Sequence, residues 1–263
     1  MAEAKAIPRE LRRQLQPRVK PVMQLDGEGP ASAFPAGGLA AGAHQVAPEA
    51  AGDEAAALAF ATTLTICALQ GRADARALLV QSAEAAREGG WAYAAGLQAL
   101  GLDPERLGVV AVRTENDALR VVDEALKSGS VVAVLADLWA APRLDLSISR
   151  RFNLASSRTG ALAFLVTRSL EGTSAALTRW SVAARPSVNR RRRLERPVFN
   201  LKLLRNRMGP TGEWTVEWDS HDRVFRAPAP LPLPVARPAA DGPAAAPERA
   251  TGEGAAGAYR QAG

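Results

Sequence analysis

The sequence has one cysteine, two histidines and no apolar run long enough to span a membrane. Cys67, as the only thiol, cannot form an internal disulfide or a Cys-rich zinc or redox site. His44 and His221 lie in unrelated segments without HxxxH spacing, so we predict no metal site. The longest uncharged apolar run, residues 55–70, is shorter than the roughly 18 residues that a membrane span requires. With no apolar core of a signal peptide near the start, these features predict a cytoplasmic protein without membrane contact.

Motifs of common catalytic sites are also missing. There is no GxSxG elbow and no GxGxxG following a predicted strand. Cys67 lies within an apolar segment, where packing rather than thiolate chemistry is expected. The sequence therefore predicts no catalytic residue and no cofactor, whereas its 47% apolar residues are enough for a buried core.

Charge is distributed unevenly along the chain. Residues 1–149 carry fourteen Lys or Arg and eighteen Asp or Glu, but residues 150–226 carry sixteen and six. Ten excess positive charges in the second segment favour a polyanionic partner such as nucleic acid. A basic but merely soluble surface is the alternative that composition leaves open.

Four segments are predicted along the chain. Residues 1–20 form a short helix, in which Ile7, Leu11 and Leu15 share one narrow face, and residues 21–36 form a linker. Residues 37–226 form the folded core. Residues 227–263, rich in Pro and Ala, are expected to be a disordered tail because they cannot bury enough apolar surface to offset chain entropy.

Strand and helix patterns alternate in the first part of the core, which is typical of parallel strands joined by crossover helices. The segment 114–129 is the clearest helix, because Thr114 and Asp117 form a capping-box pattern ahead of an amphipathic stretch. From residue 178 onward, strands follow one another, with a hairpin turn at 208–212. The predicted fold class is α/β, with a mixed, mostly parallel sheet flanked by helices and with C-terminal antiparallel strands. Strands are predicted at 44–47, 77–81, 109–112, 131–137 and 161–166, and helices at 53–70, 91–100, 114–129 and 144–160.

Several blocks occur in an order that resembles a known family. GGLAAGAHQV, GDEAAALAFA, VVAVLAD, SAALTRWSVAARPS and NLKLLRNRMGPTGEWTVEW are similar to the ImuA family, RecA-like proteins of the bacterial ImuA–ImuB mutagenesis cassette. The resemblance covers roughly residues 5–220 and implies a RecA-like core. It also implies a role in SOS-induced, error-prone translesion DNA synthesis and DNA repair.

The resemblance also locates a degenerate phosphate-binding loop. RecA-type ATPases place GPESSGKTT after the first strand, where backbone amides, a Lys and a hydroxyl hold phosphate and magnesium. The corresponding segment here begins at Pro48, contains Gly52, and has Asp53 and Glu54 in place of the Lys and the hydroxyl residue. Two carboxylates repel phosphate, so we interpret this loop as vestigial and the carboxylates as residues suited to a helix N-terminus. Asp137 is the vestigial carboxylate of the Walker B strand and is expected to cap a turn.

A dense cationic segment is the main candidate binding site. Arginine fits phosphate bidentately, so this segment is predicted to contact DNA or an acidic protein partner, although a solvated arginine run would have the same composition. Trp180, Trp214 and Trp218 are expected to pack in the core rather than to stack on bases. The basic residues of the segment are Arg190, Arg191, Arg192, Arg193, Arg196, Lys202, Arg205 and Arg207.

The resemblance implies a non-catalytic accessory protein that links RecA and ImuB to an error-prone DnaE-type polymerase. The face formed by Ile7, Leu11 and Leu15 is then a candidate partner surface, although the helix could equally fold back on its own core. DNA contact and association with the nucleoid after DNA damage are further expectations. Two alternatives stay open: a DNA-dependent ATPase with an altered phosphate loop, and a SulA-like cell-division inhibitor.

Overall fold

The computed structural model describes residues 38–138, 144–187 and 196–228. The predicted N-terminal helix 1–20, the linker 21–36 and all but the first two residues of the predicted tail 227–263 lie outside the described residues.

One mixed sheet of nine strands organises the described part of the chain, in the order β3-β2-β4-β5-β1-β6-β7-β8-β9. The strands from β3 to β6 in this order are parallel, and β7, β8 and β9 extend the sheet in antiparallel pairs. The predicted fold class is therefore confirmed: a largely parallel sheet, flanked by helices, with C-terminal antiparallel strands. The strands are β1 Gly42–Pro48, β2 Ala77–Ser82, β3 Leu107–Val112, β4 Ala133–Leu138, β5 Leu162–Thr167, β6 Thr178–Arg185, β7 Val198–Asn206, β8 Gly212–Asp219 and β9 Val224–Arg226.

Helices cover both faces of the sheet. Helix α1 packs against β1, β4, β5 and β6 on one face, while α4 and α5 pack against the other face and against each other. Because parallel strands are covered on both faces, β4 and β5 are buried along their whole length and read as continuous apolar runs. The helices are α1 Glu54–Leu69, α2 Ala83–Gly89, α3 Ala94–Ala99, α4 Glu115–Ser128 and α5 Leu146–Thr159, with a short 3-10 turn at Pro104–Arg106.

Helix α1 joins the parallel and antiparallel parts of the sheet. It is apolar nearly all round and buried, as its sequence predicts. The ring of Phe60 lies 5.5 Å from that of Trp180 on β6 and 5.9 Å from that of Phe199 on β7. Trp180 and Trp218 are fully buried and Trp214 packs against the same core, so the expected packing role of these tryptophans is confirmed.

Local signals account for both ends of α4. The Thr114 hydroxyl accepts a hydrogen bond from the Asp117 backbone N–H at 3.2 Å, which satisfies a donor of the first turn as the capping pattern predicts. At the other end of α4, Gly129 adopts the left-handed conformation with φ 66°, which terminates the helix at little steric cost.

Two helices and one strand differ from the sequence prediction. The helix predicted at 91–100 is confined to Ala94–Ala99, and a separate helix, α2, precedes it at Ala83–Gly89. The Ser82 hydroxyl accepts from the Ala85 backbone N–H at 3.0 Å and starts α2, a cap that the prediction missed. Strand β9 was also missed, because three residues are too few for a periodic signal.

None of the helices within residues 38–138, 144–187 and 196–228 combines the length and the apolar character needed to cross a bilayer.

Candidate functional site

The loop from Pro48 to Asp53 connects the carboxyl end of β1 to the start of α1, where ligands commonly bind to open α/β sheets. The Glu54 carboxylate accepts a hydrogen bond from the Gly52 N–H at 2.8 Å, and the Asp53 carboxylate accepts one from the Ala50 N–H at 3.3 Å. In a phosphate-binding loop, such backbone amides donate to the anion. Here the two carboxylates supply the negative charge from within the chain.

The same loop is attached to strands β6 and β7. The second oxygen of Asp53 accepts from the Ala184 backbone N–H on β6 at 2.9 Å. Glu49 forms an ion pair with Lys202 on β7. This contact raises the pKa of Lys202, because the hydrogen bond to Glu49 favours the charged ammonium. Glu49 near the start of the loop and Asp53 at its end therefore both fix the loop to neighbouring strands.

Asp137 lies inside strand β4 and is only 6% exposed. Residues 139–143, which follow the strand, lie outside the described residues, so the expected turn cap stays a prediction. Its carboxylate accepts a hydrogen bond from Gln81 Nε2 at 3.1 Å, and Gln81 Oε1 accepts from the Ala92 N–H at 2.8 Å. Burial raises the pKa of Asp137 above its ordinary value, and the Gln81 hydrogen bond opposes that shift only in part. Asp137 and Gln81 are register partners on β4 and β2, and together they position the segment between α2 and α3.

A cavity of about 610 Å³ adjoins the loop and Asp137 at the carboxyl ends of the parallel strands. Its wall is mostly apolar, and its acidic groups are Glu54, Glu88 and Asp137, with Arg168 as the basic one. An excess of carboxylates opposes the binding of a polyphosphate group. The sequence prediction located the loop and Asp137 but missed Gln81 as the partner of Asp137.

The described members of the predicted cationic segment lie in three different surroundings. Arg196 contacts Glu217 at 3.1 Å and Asp219 at 2.8 Å, next to β8. Lys202 contacts Glu49, and Arg205 and Arg207 lie at the other end of β7 from Arg196. A strand rises about 3.3 Å per residue, so Val198 at the start of β7 and Arg205 are about 23 Å apart, and Arg196 precedes Val198. Arg190, Arg191, Arg192 and Arg193 lie outside the described residues.

His44 belongs to a buried chain of hydrogen bonds. Nε2 of His44 donates to the Ala40 carbonyl at 2.9 Å, which leaves Nδ1 as the acceptor for the Thr178 hydroxyl at 2.8 Å. Trp180 Nε1 in turn donates to the same hydroxyl oxygen at 2.8 Å. Burial lowers the pKa of His44 to about 4, so the ring is neutral near pH 7. The residues that the structure describes contain no group of three His, Cys, Asp or Glu that could hold a metal ion.

Together these features define an α/β protein with a largely parallel sheet, in which the loop after the first strand is closed by its own carboxylates. The chain is similar to Protein ImuA of Caulobacter vibrioides, found in strains NA1000 / CB15N and ATCC 19089 / CIP 103742 / CB 15. It is 28% identical to each over 217 residues, which cover 75% of this chain and 83% of the relative. The resemblance to ImuA is thus confirmed by a relative that the match covers over most of its length.

Two other comparisons add little. No family model matches the chain. Among solved structures, SulA from Pseudomonas aeruginosa is 19% identical with a TM-score of 0.37, and the match covers 48% of this chain and 98% of that protein. A similarity at that score carries no argument about fold or function.

Proposed function

We propose that this chain is an accessory protein of the ImuA–ImuB mutagenesis system and that it acts by recruiting partners rather than by turning over a nucleotide. The similarity to Protein ImuA supports the place in this system. The observation that carries the non-catalytic part is the pair of hydrogen bonds from the loop amides of Ala50 and Gly52 to the carboxylates of Asp53 and Glu54.

Electrostatic repulsion disfavours a phosphate group in this loop. An incoming phosphate would have to displace two covalently attached carboxylates, and it would then lie beside them without the lysine that neutralises charge in RecA-type loops. Asp53 is also held by the Ala184 N–H, so its withdrawal would break a second contact. The loop therefore favours its closed arrangement over an anion-bound one.

The proposed mechanism is recruitment. The protein links RecA and ImuB, and through ImuB an error-prone DnaE-type polymerase, during SOS-induced translesion synthesis. Ile7, Leu11 and Leu15 are the proposed partner-binding residues near the N-terminus. The proposed contact for DNA or an acidic partner is formed by Arg190 to Arg193, Arg196, Lys202, Arg205 and Arg207. The protein would then act in the cytoplasm and at the nucleoid after DNA damage.

The test is association with purified ImuB and with RecA on single-stranded DNA. Substituting Leu11 and Leu15 with Glu is expected to weaken capture of one of these partners, with Glu substitutions at the exposed Arg72 and Arg113 as the control pair. Wild-type protein that binds neither ImuB nor RecA would overturn the recruitment role.

One observation favours a second candidate function, a DNA-dependent ATPase. The cavity of about 610 Å³ lies next to Asp137, at the edge of the sheet where nucleotides bind in open α/β folds. This reading requires Asp53 and Glu54 to move away from the loop amides when nucleotide binds. Nucleotide binding that is lost in D137N protein would favour it over the non-catalytic proposal.

A further inference from the structure

Four arginines lie together at the end of the β6–β7 pair that is remote from the loop after β1. Arg179 on β6 and Arg205 on β7 are register partners, Arg207 directly follows β7, and Arg150 belongs to α5. Burial lowers the pKa of Arg207, and the positive charges of Arg205 and Arg150 lower it further. Burial and Arg205 likewise lower the pKa of Arg179. These residues, here called the four-arginine cluster, are thus close enough to repel one another.

Backbone carbonyls hold three of these side chains in place. Arg205 Nη1 donates to the Ser174 carbonyl at 3.0 Å, Arg207 Nε donates to the Ala176 carbonyl at 3.3 Å, and Arg179 donates to the Leu170 carbonyl. A guanidinium has five N–H donors in a planar fork, so these contacts orient each group and leave other donors for a ligand.

The segment that carries these carbonyls is itself anchored to α5. The Ser149 hydroxyl accepts from the Ala175 N–H at 2.7 Å, and Asn153 Nδ2 donates to the Ala175 carbonyl at 2.8 Å. Ser149 is fully buried. The cluster therefore rests on a scaffold formed before any ligand binds, which reduces the entropy cost of ordering the arginines on binding.

The four-arginine cluster lacks the acidic partners that other basic residues of this protein have. Arg151, Arg196, Lys202 and Arg226 each contact a carboxylate. Within the described ranges, no Asp or Glu forms an ion pair with any of the four cluster arginines. The Nε of Arg179 is buried without a described hydrogen-bond partner. Grouped guanidinium charges without carboxylates favour an anionic ligand.

We propose that the four-arginine cluster binds the phosphodiester backbone of a nucleic acid. Planar guanidinium forks match phosphate oxygens bidentately, and several forks held side by side suit a polymer with repeated phosphates better than a single anion. The ten excess positive charges over residues 150–226 supply the long-range attraction. This inference rests on the DNA contact within the proposed function and adds Arg150 and Arg179, which sequence reasoning did not select.

The experiment measures binding of the full chain to a fluorescein-labelled oligothymidylate of about 20 nucleotides, by anisotropy over a range of salt concentrations. The test variant is R150Q/R207Q, since both side chains are exposed. The matched control is R72Q/R113Q, which removes the same charge from exposed positions outside β6 and β7. We expect about tenfold weaker binding in the test variant and a slope of log K against log salt reduced by about 1.4, the value for two lost contacts to a single strand.

Each outcome decides a different claim. Test and control variants with the same affinity and slope would overturn the cluster as a binding site. Displacement of the oligothymidylate by polyglutamate as readily as by unlabelled oligothymidylate would overturn the assignment to phosphate. Wild-type protein that captures ImuB but does not bind the oligonucleotide would overturn DNA contact and leave recruitment standing. The R207K variant, which keeps the charge but loses the fork, should bind more weakly than wild type with an unchanged salt slope.

Discussion

The carboxylate of Asp53 accepts a hydrogen bond from the backbone N–H of Ala184 at 2.9 Å and so joins the loop after β1 to strand β6. A lysine at this position could not make the contact, because an ammonium has no acceptor. The sequence analysis predicts that Asp53 occupies the position of the phosphate-binding lysine. On that prediction, the residue at this position makes a structural contact that a lysine could not make.

The first prediction concerns the contribution of Asp53 to stability. D53A should lower the free energy of unfolding by about 1–2 kcal/mol, since the Ala50 and Ala184 amides lose a charged acceptor. D53N keeps one amide oxygen as an acceptor and should cost less than D53A. Equilibrium unfolding in urea measures both. Equal stability of D53A and wild type would show that these contacts do not hold the loop.

The second prediction concerns Asp137 and pH. Burial raises the folded-state pKa of Asp137, so the folded protein binds a proton more tightly than the unfolded chain does. Stability contributed by this group is therefore greatest at low pH and falls as pH rises from about 3.8 through the folded pKa. D137N, which cannot ionise, should be more stable than wild type at pH 7, with the difference shrinking towards pH 4. A D137N protein that is less stable at pH 7 would contradict this.

The third prediction concerns His44, whose effect on stability changes with pH in the opposite direction to that of Asp137. Its folded-state pKa of about 4 lies below the ordinary 6.5, so the unfolded chain binds the proton more tightly. Stability from this group is present above pH 6.5 and is lost as pH falls towards 4, by about 3 kcal/mol in total. H44Q should show a flatter stability profile between these pH values. The claim fails if wild type and H44Q lose stability in parallel.

Some of these residues could be predicted from sequence and others could not. Helix α1 and strands β4 and β5 consist mostly of apolar residues, and the Thr114 cap has a recognisable local pattern. Each of these features could be predicted because its signal lies within a single segment of the sequence. The Gln81–Asp137 contact depends on the register between β2 and β4, which segments far apart in sequence set together. Sequence therefore indicated the carboxylate but not the side chain that it contacts.

The same reason applies to the basic residues. Sequence proximity grouped Arg196, Lys202, Arg205 and Arg207, whereas strand β7 separates them along its length. Arg150 and Arg179 join Arg205 and Arg207 only through the packing of α5 and the pairing of β6 with β7. A linear count of charge locates the basic half of the protein, and the fold decides which charges meet.

The fourth prediction tests the arginine run of the proposed function. R191E/R193E should weaken binding to DNA or to ImuB without lowering the midpoint of urea unfolding. K202Q provides a comparison, since Lys202 is already paired with Glu49 and should contribute less to binding than either arginine. Binding unchanged by R191E/R193E would exclude the run from the interface.

The most direct test of the central claim is calorimetric titration of the purified full chain with MgATP up to about 1 mM, together with a hydrolysis assay with and without single-stranded DNA. The account predicts no binding heat and no turnover under either condition, because the carboxylates of Asp53 and Glu54 already occupy the loop amides. Nucleotide binding with DNA-stimulated turnover that disappears in D137N would contradict the account and would identify the protein as a nucleotide-driven switch.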